Sequence, residues 1–337
     1  MEKVRTAVVG CGMISNIYIK NLKNLFSIIE LAAVGDINRA AAEEKARTYG
    51  IERVMTIDEI AASPDIELVI NLTPAFVHYS VIRQMLEAGK HVWTEKVMTV
   101  TVEEARDLCA LADKKGLFLG AAPDTVLGAG LQTARQALDT GMIGTVTSGL
   151  AVIDRDQCLN SEVFTFLKGS GGTLPYDVGI YYIGALVSVL FDGNTVNVSQ
   201  HTLTLFGTQG VLRIGDPDTF GGANTLLYPD QAPCVLPFTH GYDGRNTVEP
   251  SPYDHYGHRG VGAAEMAYAI RQVRPNRCSK EYGLHCLEVL DGMERSAATG
   301  ETVELNTRFT MAPLAPGYYS SFLGGMRADA EGSLVNG

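Results

Sequence analysis

Three groups of residues have types and spacings that could do chemistry. The first is Gly10, Gly12 and Asp36. An apolar run ends at VVGCG, a helical stretch follows, and a second apolar run, LAAVGD, closes on the acid. Glycine at 10 permits a sharp turn after a strand. Glycine at 12 lets backbone approach a pyrophosphate, and the N–H groups opening the next helix, from Met13 and Ile14 onward, point at that phosphate. Asp36 is placed to accept hydrogen bonds from both ribose hydroxyls. The third small position is Ser15 rather than Gly or Ala, still small enough for helix–strand packing. A carboxylate at 36 repels a 2′-phosphate, although Arg39 nearby could serve one, so NAD is expected over NADP. The bland alternative is a glycine turn in some other α/β sheet. The second group is Glu95–Lys96, which follows an apolar run; a desolvated lysine there can lower its pKa and hydrogen-bond an alcohol. The third is Asp177 and Tyr181 in PYDVGIYYIG. At that spacing on one helical turn the two side chains face the same way and can orient a hydroxyl and relay its proton. Their structural alternative is a capping Asp beside a packed Tyr.

Elements that would position these residues alternate regularly. Helical patterns fit 15–26, 40–48, 56–62, 75–88 and 102–115, and strands fit 6–9, 31–34, 68–71, 91–94 and 117–121. The alternation implies a parallel sheet with helices on both faces. Ligands of such sheets bind beyond the carboxyl ends of the strands, which singles out the segments starting at Gly10, Asp36, Asn71, Glu95 and Ala122. After about residue 122 the character changes. A helix at 128–140 leads to a segment with a strand pair around the glycine turn of TLTLFGTQGVLRI, and helices return at 262–271 and 282–298. The expected division is residues 1–122 as a dinucleotide-binding domain and 123–337 as an α+β substrate-binding and oligomerisation domain, the last helices packing back on the interface. The small, polar tail from 327 is expected to fray.

Composition narrows the function classes. A net charge of −11 argues against non-specific nucleic-acid binding. No apolar run reaches the ~18 residues of a membrane span, and the chain enters its first strand too early for a signal peptide, so a cytoplasmic protein is expected. The 6 cysteines are scattered without a CxxC pair, which gives neither a metal site nor a disulfide framework. The segment 220–256 is rich in Gly, Pro, Asn, Asp, His and aromatics, as suits a sugar site, where aromatics stack on C–H faces. A long surface loop is its plain alternative. His255, His258 and Arg259 are candidates to line that site.

Several landmarks together resemble the Gfo/Idh/MocA family of oxidoreductases: VVGCGMIS, NLTPAFVHYSVIRQMLEAGKHVWTEK, GMIG, GGTLPYDVGIYYIGALVSVL and LFGTQGVLRI. The resemblance spans nearly the whole chain, and the block from Asn71 to Lys96 is its most specific part. It implies an α/β chain with an N-terminal Rossmann doubly wound parallel sheet and a C-terminal α+β domain with an open, mostly antiparallel sheet. It also implies hydride transfer between a nicotinamide and a secondary hydroxyl of a sugar, polyol or similar ring. Carried over, Gly10, Gly12, Met13, Ile14 and Asp36 would hold the dinucleotide. Thr73, Pro74 and His78 would lie along it, His78 as a cofactor wall, and Glu95 would approach the nicotinamide ribose. Lys96 matches the lysine of the family's Glu-Lys-Pro motif and would also touch the cofactor, and Asp177 matches the acid of its Asp-x-Gly-x-His motif.

Departures from the pattern carry their own expectations. Val97 stands where the family has Pro, which removes a backbone constraint at Lys96. Tyr181 replaces the motif histidine, so Tyr181 is assigned the acid/base role, with Lys96 positioning the hydroxyl and tuning it. The run from the Asp177 helix to LFGTQGVLRI is shorter than the family's, which implies either a truncated sheet or residues left out at a break between Leu190 and Phe191; the break is expected, because losing central strands would expose paired edges. APDTVLGAG, DPDTFGG and RGVGAAEMAYAIR together resemble a bacterial subgroup of the family that acts on sugars or glycosides, and the open, polar and aromatic segment without a charge cluster gives a glucoside C3 hydroxyl as the sharpest form. The competing readings are a dehydrogenase of another substrate, such as a trans-dihydrodiol or a biliverdin-like carbonyl, and a non-catalytic NAD-binding sensor. A homo-oligomer, dimer or higher, is expected, with no nucleic-acid or membrane partner.

Overall fold

The computed structural model describes residues 1–154, 175–183, 189–192, 200–242, 259–314, 326–328 and 334–336. The chain divides into two compact units, Met1–Asp124 with His258–Ala312, and Thr125–Gly257 with Pro313–Gly337. The first unit therefore takes the chain back after residue 257, where the sequence pattern alone assigned everything beyond 122 to the second domain.

In the first unit six strands form one parallel sheet in the order β3-β2-β1-β4-β5-β6. They are β1 (Val4–Val9), β2 (Ile29–Gly35), β3 (Arg53–Val54), β4 (Leu68–Asn71), β5 (His91–Thr94) and β6 (Leu119–Ala121). Val4, Ala7, Val8 and Val9 on β1 and Leu68, Val69 and Ile70 on β4 are fully buried, as continuous apolar strands covered on both faces must be. The linking helices are α1 (Ser15–Asn24), α2 (Arg39–Tyr49), α3 (Ile57–Ala62), α4 (Ala75–Glu87) and α5 (Val102–Lys115). Their ends are written locally. The Asn38 side chain accepts from the Ala41 N–H at the start of α2, and Thr56 and Glu59 form a reciprocal capping box on α3. In α5, Glu103 and Glu104 in the first turn and Lys114 and Lys115 in the last oppose the helix dipole, and Gly116 closes the helix in the left-handed region.

Two late helices complete this unit, α8 (Val261–Gln272) and α9 (Lys280–Thr299). Both pack on β6, α8 also on β5 and α9 also on α5. Close approach requires small residues. A Cβ on Gly262 would meet the Trp93 ring at 2.1 Å, and one on Gly283 would meet the Ala121 Cβ at 2.9 Å. An amphipathic helix pattern shows that a face must be covered but not by what, and here the covering surface lies far back in the sequence.

The second unit carries a sheet in the order β12-β11-β10-β9-β7-β8, from β7 (Val146–Asp154), β8 (Val189–Asp192), β9 (Gln200–Gly207), β10 (Val211–Ile214), β11 (Thr225–Leu227) and β12 (Cys234–Val235). All its pairings are antiparallel except β7 with β8. Helix α6 (Ala129–Asp139) packs against β10, and a short helix α7 (Ile180–Ile183) precedes β8. Leu203, Leu205, Leu212 and Ile214 are buried on one face, whereas Leu150 and Phe206 are exposed on the other, the alternation of a half-covered antiparallel sheet. β8 runs unbroken through Leu190–Phe191, in register with Val152 and Ile153, which corrects the break expected there. Val189–Asp192, the described part of that shorter connection, is the last strand in the sheet order. β13 (Met326–Ala328) pairs with β14 (Leu334–Asn336), so these parts of the tail are extended and hydrogen-bonded rather than frayed. No helix of the described residues is long and apolar enough to cross a membrane.

His91 at the start of β5 links fold to pH. Its Nδ1 accepts the Phe118 N–H at 2.9 Å, and burial lowers its pKa to about 4. The folded protein thus resists protonation that the unfolded chain accepts below an ordinary imidazole pKa of ~6.5. Stability should be complete above that value and fall as pH drops towards 4, by about 2 kcal/mol from this group near pH 4.5. Urea unfolding of wild type and His91→Asn, which keeps an acceptor but cannot titrate, checks it: the variant should show the shallower decline.

Candidate functional site

The loop between β1 and α1 is shaped by two glycines with different duties. Gly10 has φ +97°, and a Cβ there would lie 2.6 Å from the Leu72 carbonyl carbon, so both conformation and packing demand glycine. Gly12 is unlike it. Apart from its chain neighbours, no atom of the described residues lies within 4 Å of where its Cβ would be. Packing does not require glycine at 12, whereas close approach by a ligand would. Ser15, the atypical third small position, is buried and donates its hydroxyl to the Gly12 carbonyl at 2.6 Å, holding the loop to the helix start. Helix α1 begins without a side-chain cap and without an acidic residue in its first turn, leaving its positive end available to an anion.

Asp36 closes β2 beside this loop. Its Oδ2 accepts the Cys11 N–H at 2.6 Å and its Oδ1 the Asn38 N–H at 2.7 Å. The carboxylate expected at a ribose is thereby aimed by the glycine loop itself. Burial, with the Asp36 charge beside it, pushes the Cys11 thiol up to about 11, so it stays a neutral thiol. Just beyond the carboxyl ends of β1, β2 and β4 stand three exposed apolar side chains, Met13, Ile37 and Phe76, at 60%, 95% and 71% exposure. Gly12, the uncapped α1 terminus and these apolar surfaces together fit a dinucleotide with its phosphates and flat rings. Met13 and Ile14 lie at the α1 start as expected, with Ile14 at the cap position.

Asn71 organises the ends of β4 and β5. Its Oδ1 accepts the Thr73 N–H and hydroxyl, its Nδ2 donates to Thr94 Oγ1, and its carbonyl accepts the Glu95 N–H. Pro74 stands at the cap of α4 in extended conformation. His78 is 1% exposed, with Nδ1 2.7 Å from the Val97 carbonyl and Nε2 2.7 Å from the Thr73 carbonyl. Burial pulls its pKa below the ordinary imidazole range, against the pull of the two carbonyls. The ring ties the β4–α4 loop to the segment after Lys96 rather than presenting a face as a wall. Glu95 is buried, and its Oε2 accepts the Lys96 N–H at 2.9 Å. Lys96 is half-buried at the same sheet edge, and the Lys96–Val97 peptide is cis.

Sequence reasoning missed Tyr18 here, and reached Asp124 only as part of the segment 122–125 that follows a strand. Tyr18 on α1 donates to Glu95 Oε1 at 2.7 Å. Asp124, after β6, accepts the Gly260 and Gly262 N–H groups at 3.0 Å each, capping α8 from another segment. Burial raises its pKa, opposed by Arg259, whose guanidinium lies 3.9 Å away. Arg259 is itself buried within the first unit, so it does not line an open substrate segment. Its place before a glycine-opened helix was the available signal, read the wrong way.

In the second unit, Pro175–Gly179 forms a π-type turn that runs into α7, so Asp177 and Tyr181 span a widened turn rather than a regular α-helix. Such turns recur at functional sites because they re-aim side chains within a helix. Tyr181 is buried and Asp177 half-buried. The neighbouring Tyr182 donates to Asp216 Oδ1 at 2.6 Å, anchoring the turn to the segment after β10. Residues 243–258, including His255 and His258, lie outside the described residues. Among the described residues no cluster of His, Cys, Asp and Glu could hold a metal.

Residues 4–122 match the model of an oxidoreductase family with an NAD-binding Rossmann fold. The chain is 30% identical to a scyllo-inositol 2-dehydrogenase (NAD(+)) of Bacillus subtilis, over 58% of this chain and 59% of that protein. It is 28% identical to a D-glucoside 3-dehydrogenase of Escherichia coli, over 66% and 65%. The chain spans between about half and two thirds of the length of the first curated relatives it matches. A levoglucosan dehydrogenase solved with NADH and levoglucosan superposes with a TM-score of 0.74 at 18% identity, over 88% of this chain and 97% of that one, a likeness of fold.

The two glycines give separable predictions. Gly10→Ala should lower the unfolding midpoint of the ligand-free protein, by at least about 1 kcal/mol from the left-handed conformation alone. Gly12→Ala should leave that midpoint within about 0.5 kcal/mol yet weaken NADH binding tenfold or more by blocking the open approach, as read by thermal melts and titration.

Proposed function

We propose that this chain, whose residues 4–122 match the Gfo/Idh/MocA oxidoreductase family, is an NAD-dependent dehydrogenase acting on a secondary hydroxyl of a sugar or glycoside. The observation that carries this reading is the carboxyl edge of the first unit's sheet. There the open space at Gly12, the oriented Asp36 carboxylate, the exposed apolar side chains and Glu95–Lys96 share one border. Gly10, Gly12, Met13, Ile14, Asp36, Thr73, Pro74 and Glu95 would hold the dinucleotide, with His78 supporting Thr73. When bound, the nicotinamide supplies the hydride acceptor. NAD is favoured over NADP because the Asp36 carboxylate flanks the loop, while Arg39 pairs with Glu43 at 2.9 Å on the surface of α2.

Lys96 donates a hydrogen bond to the substrate hydroxyl and lowers the cost of removing its proton. Tyr181 Oη, on α7, exchanges that proton, and Asp177, on the π-type turn that runs into α7, orients the hydroxyl. A phenol suits this role because it can donate and accept at one atom. For the substrate, a glucoside C3 hydroxyl is the sharper proposal, supported by the resemblance to a D-glucoside 3-dehydrogenase. A homo-oligomer in a reducing cytoplasm completes the reading, supported by the exposed Leu150 and Phe206 on the open sheet face and by free cysteines throughout the described residues.

The test is the near-ultraviolet absorbance of reduced nicotinamide, with NAD and a panel of glucosides, free sugars and inositols. A rise with a glucoside is expected. Lys96→Ala should reduce kcat by about 100-fold or more with NAD still bound, and Tyr181→Phe should do likewise. Turnover surviving in Lys96→Ala would refute the mechanism, and turnover of inositols alone would refute the glucoside assignment.

A further inference from the structure

Glu95 leaves β5 at the sheet edge with its carboxylate buried, and a buried carboxylate is stable there only if its oxygens are hydrogen-bonded. Its two oxygens do different things. Oε2 takes the backbone N–H of Lys96, the next residue, while Oε1 takes the hydroxyl of Tyr18, which is 77 positions away in sequence. Tyr18 lies on α1, the helix opened by the Gly12 loop, and is fully buried. Its ring packs close to Gly260, where a Cβ would sit 3.4 Å from Tyr18 Cδ1. Packing fixes the ring, and the hydroxyl is left with the task of holding the carboxylate.

We propose that Tyr18 is a positioning residue for hydride transfer: its hydroxyl fixes the Glu95 carboxylate, which in turn fixes the Lys96 backbone and so the direction of the Lys96 amine. This rests on the dehydrogenase reading above. Burial first, then the Glu95 and Asp124 charges, push the Tyr18 phenol well above its ordinary range, so it remains a donor throughout. The charged groups around it come from three segments: Glu95 after β5, Asp124 after β6, and Arg259 before α8, which faces Asp124. A phenol donating to a carboxylate is a charge-assisted bond, stronger and more directional than a neutral one. Without it, Glu95 Oε1 loses its buried donor and the carboxylate is free to rotate away from the Lys96 N–H. A misplacement of about 1 Å at a reacting group can cost on the order of 100-fold in rate.

Tyr18→Phe keeps the ring and removes only the hydroxyl, so a role in packing alone would survive it. The experiment is a double-mutant cycle of Tyr18→Phe and Glu95→Met in the full chain, reading kcat, KM and the Kd of NADH. Tyr18→Phe should bind NADH within about threefold of wild type, keep KM, and lose at least about tenfold in kcat. In the Glu95→Met background, which has no oxygen to accept the hydroxyl, the same change should have no further effect on kcat, because the hydroxyl acts through the carboxylate. Wild-type kcat in Tyr18→Phe, or an equal loss in both backgrounds, overturns the proposal. Should the single variant not fold, Glu95→Met with and without Tyr18→Phe still decides it, since the double variant leaves no buried carboxylate unpaired: equal kcat supports the role, and a further loss overturns it. A wild-type protein that binds no dinucleotide overturns the dehydrogenase reading itself, and is seen before any variant is made.

Discussion

The contact on which the rest of the first unit depends is the approach of Gly10 to the backbone of Leu72. β1 and β4 are neighbours although two other strands and three helices separate them in sequence. At their carboxyl ends the chain must turn into α1 on one side and into the Thr73–Pro74 loop on the other. Only a residue without a Cβ allows both turns at once, since any side chain at 10 would collide with the Leu72 carbonyl. The order β3-β2-β1-β4-β5-β6 places the topological switch at this pair of strands, where open α/β sheets bind ligands. The cradle is thus a consequence of strand order and one glycine, not of any added loop.

Around that contact a chain of hydrogen bonds hands orientation from one strand end to the next. Asp36 holds the glycine loop from β2. Asn71 joins Thr73 to Thr94 and Glu95, and His78 spans the Thr73 and Val97 carbonyls. Most of these groups are buried, where an unpaired polar atom is costly, so the network has little freedom to reorganise. The chemistry assigned to Lys96 therefore sits on a backbone whose neighbours on both sides are held.

Some of this was legible in the residues and some was not. Gly10, Gly12 and Asp36 are readable because a left-handed turn after a buried strand has few sequence solutions, and the apolar strands and capped helices follow local rules. The assignment of α8 and α9 to the first unit was not, because their pattern shows that a face is buried but not that β6 and α5 cover it. The i,i+4 spacing of Asp177 and Tyr181 fits a regular helix as well as the π-type turn that is present, so spacing could not tell them apart. His78 was read as a wall because its motif position is visible while its two carbonyl partners are not. Tyr18 resembled any aromatic on a helix's apolar face until Glu95 was found against it. The break expected at Leu190–Phe191 came from comparing lengths, which says nothing about whether a shorter sheet can pair its strands.

The central claim is that the carboxyl edge of the first unit's sheet holds a nicotinamide dinucleotide. The chain offers a direct reporter, since its 1 tryptophan, Trp93, is buried on β5, two residues before Glu95. Excitation of Trp93 during titration with NADH should give saturable energy transfer to the reduced nicotinamide, reversed by excess NAD and weaker with NADPH. Titration without saturable transfer from either dinucleotide would contradict the account.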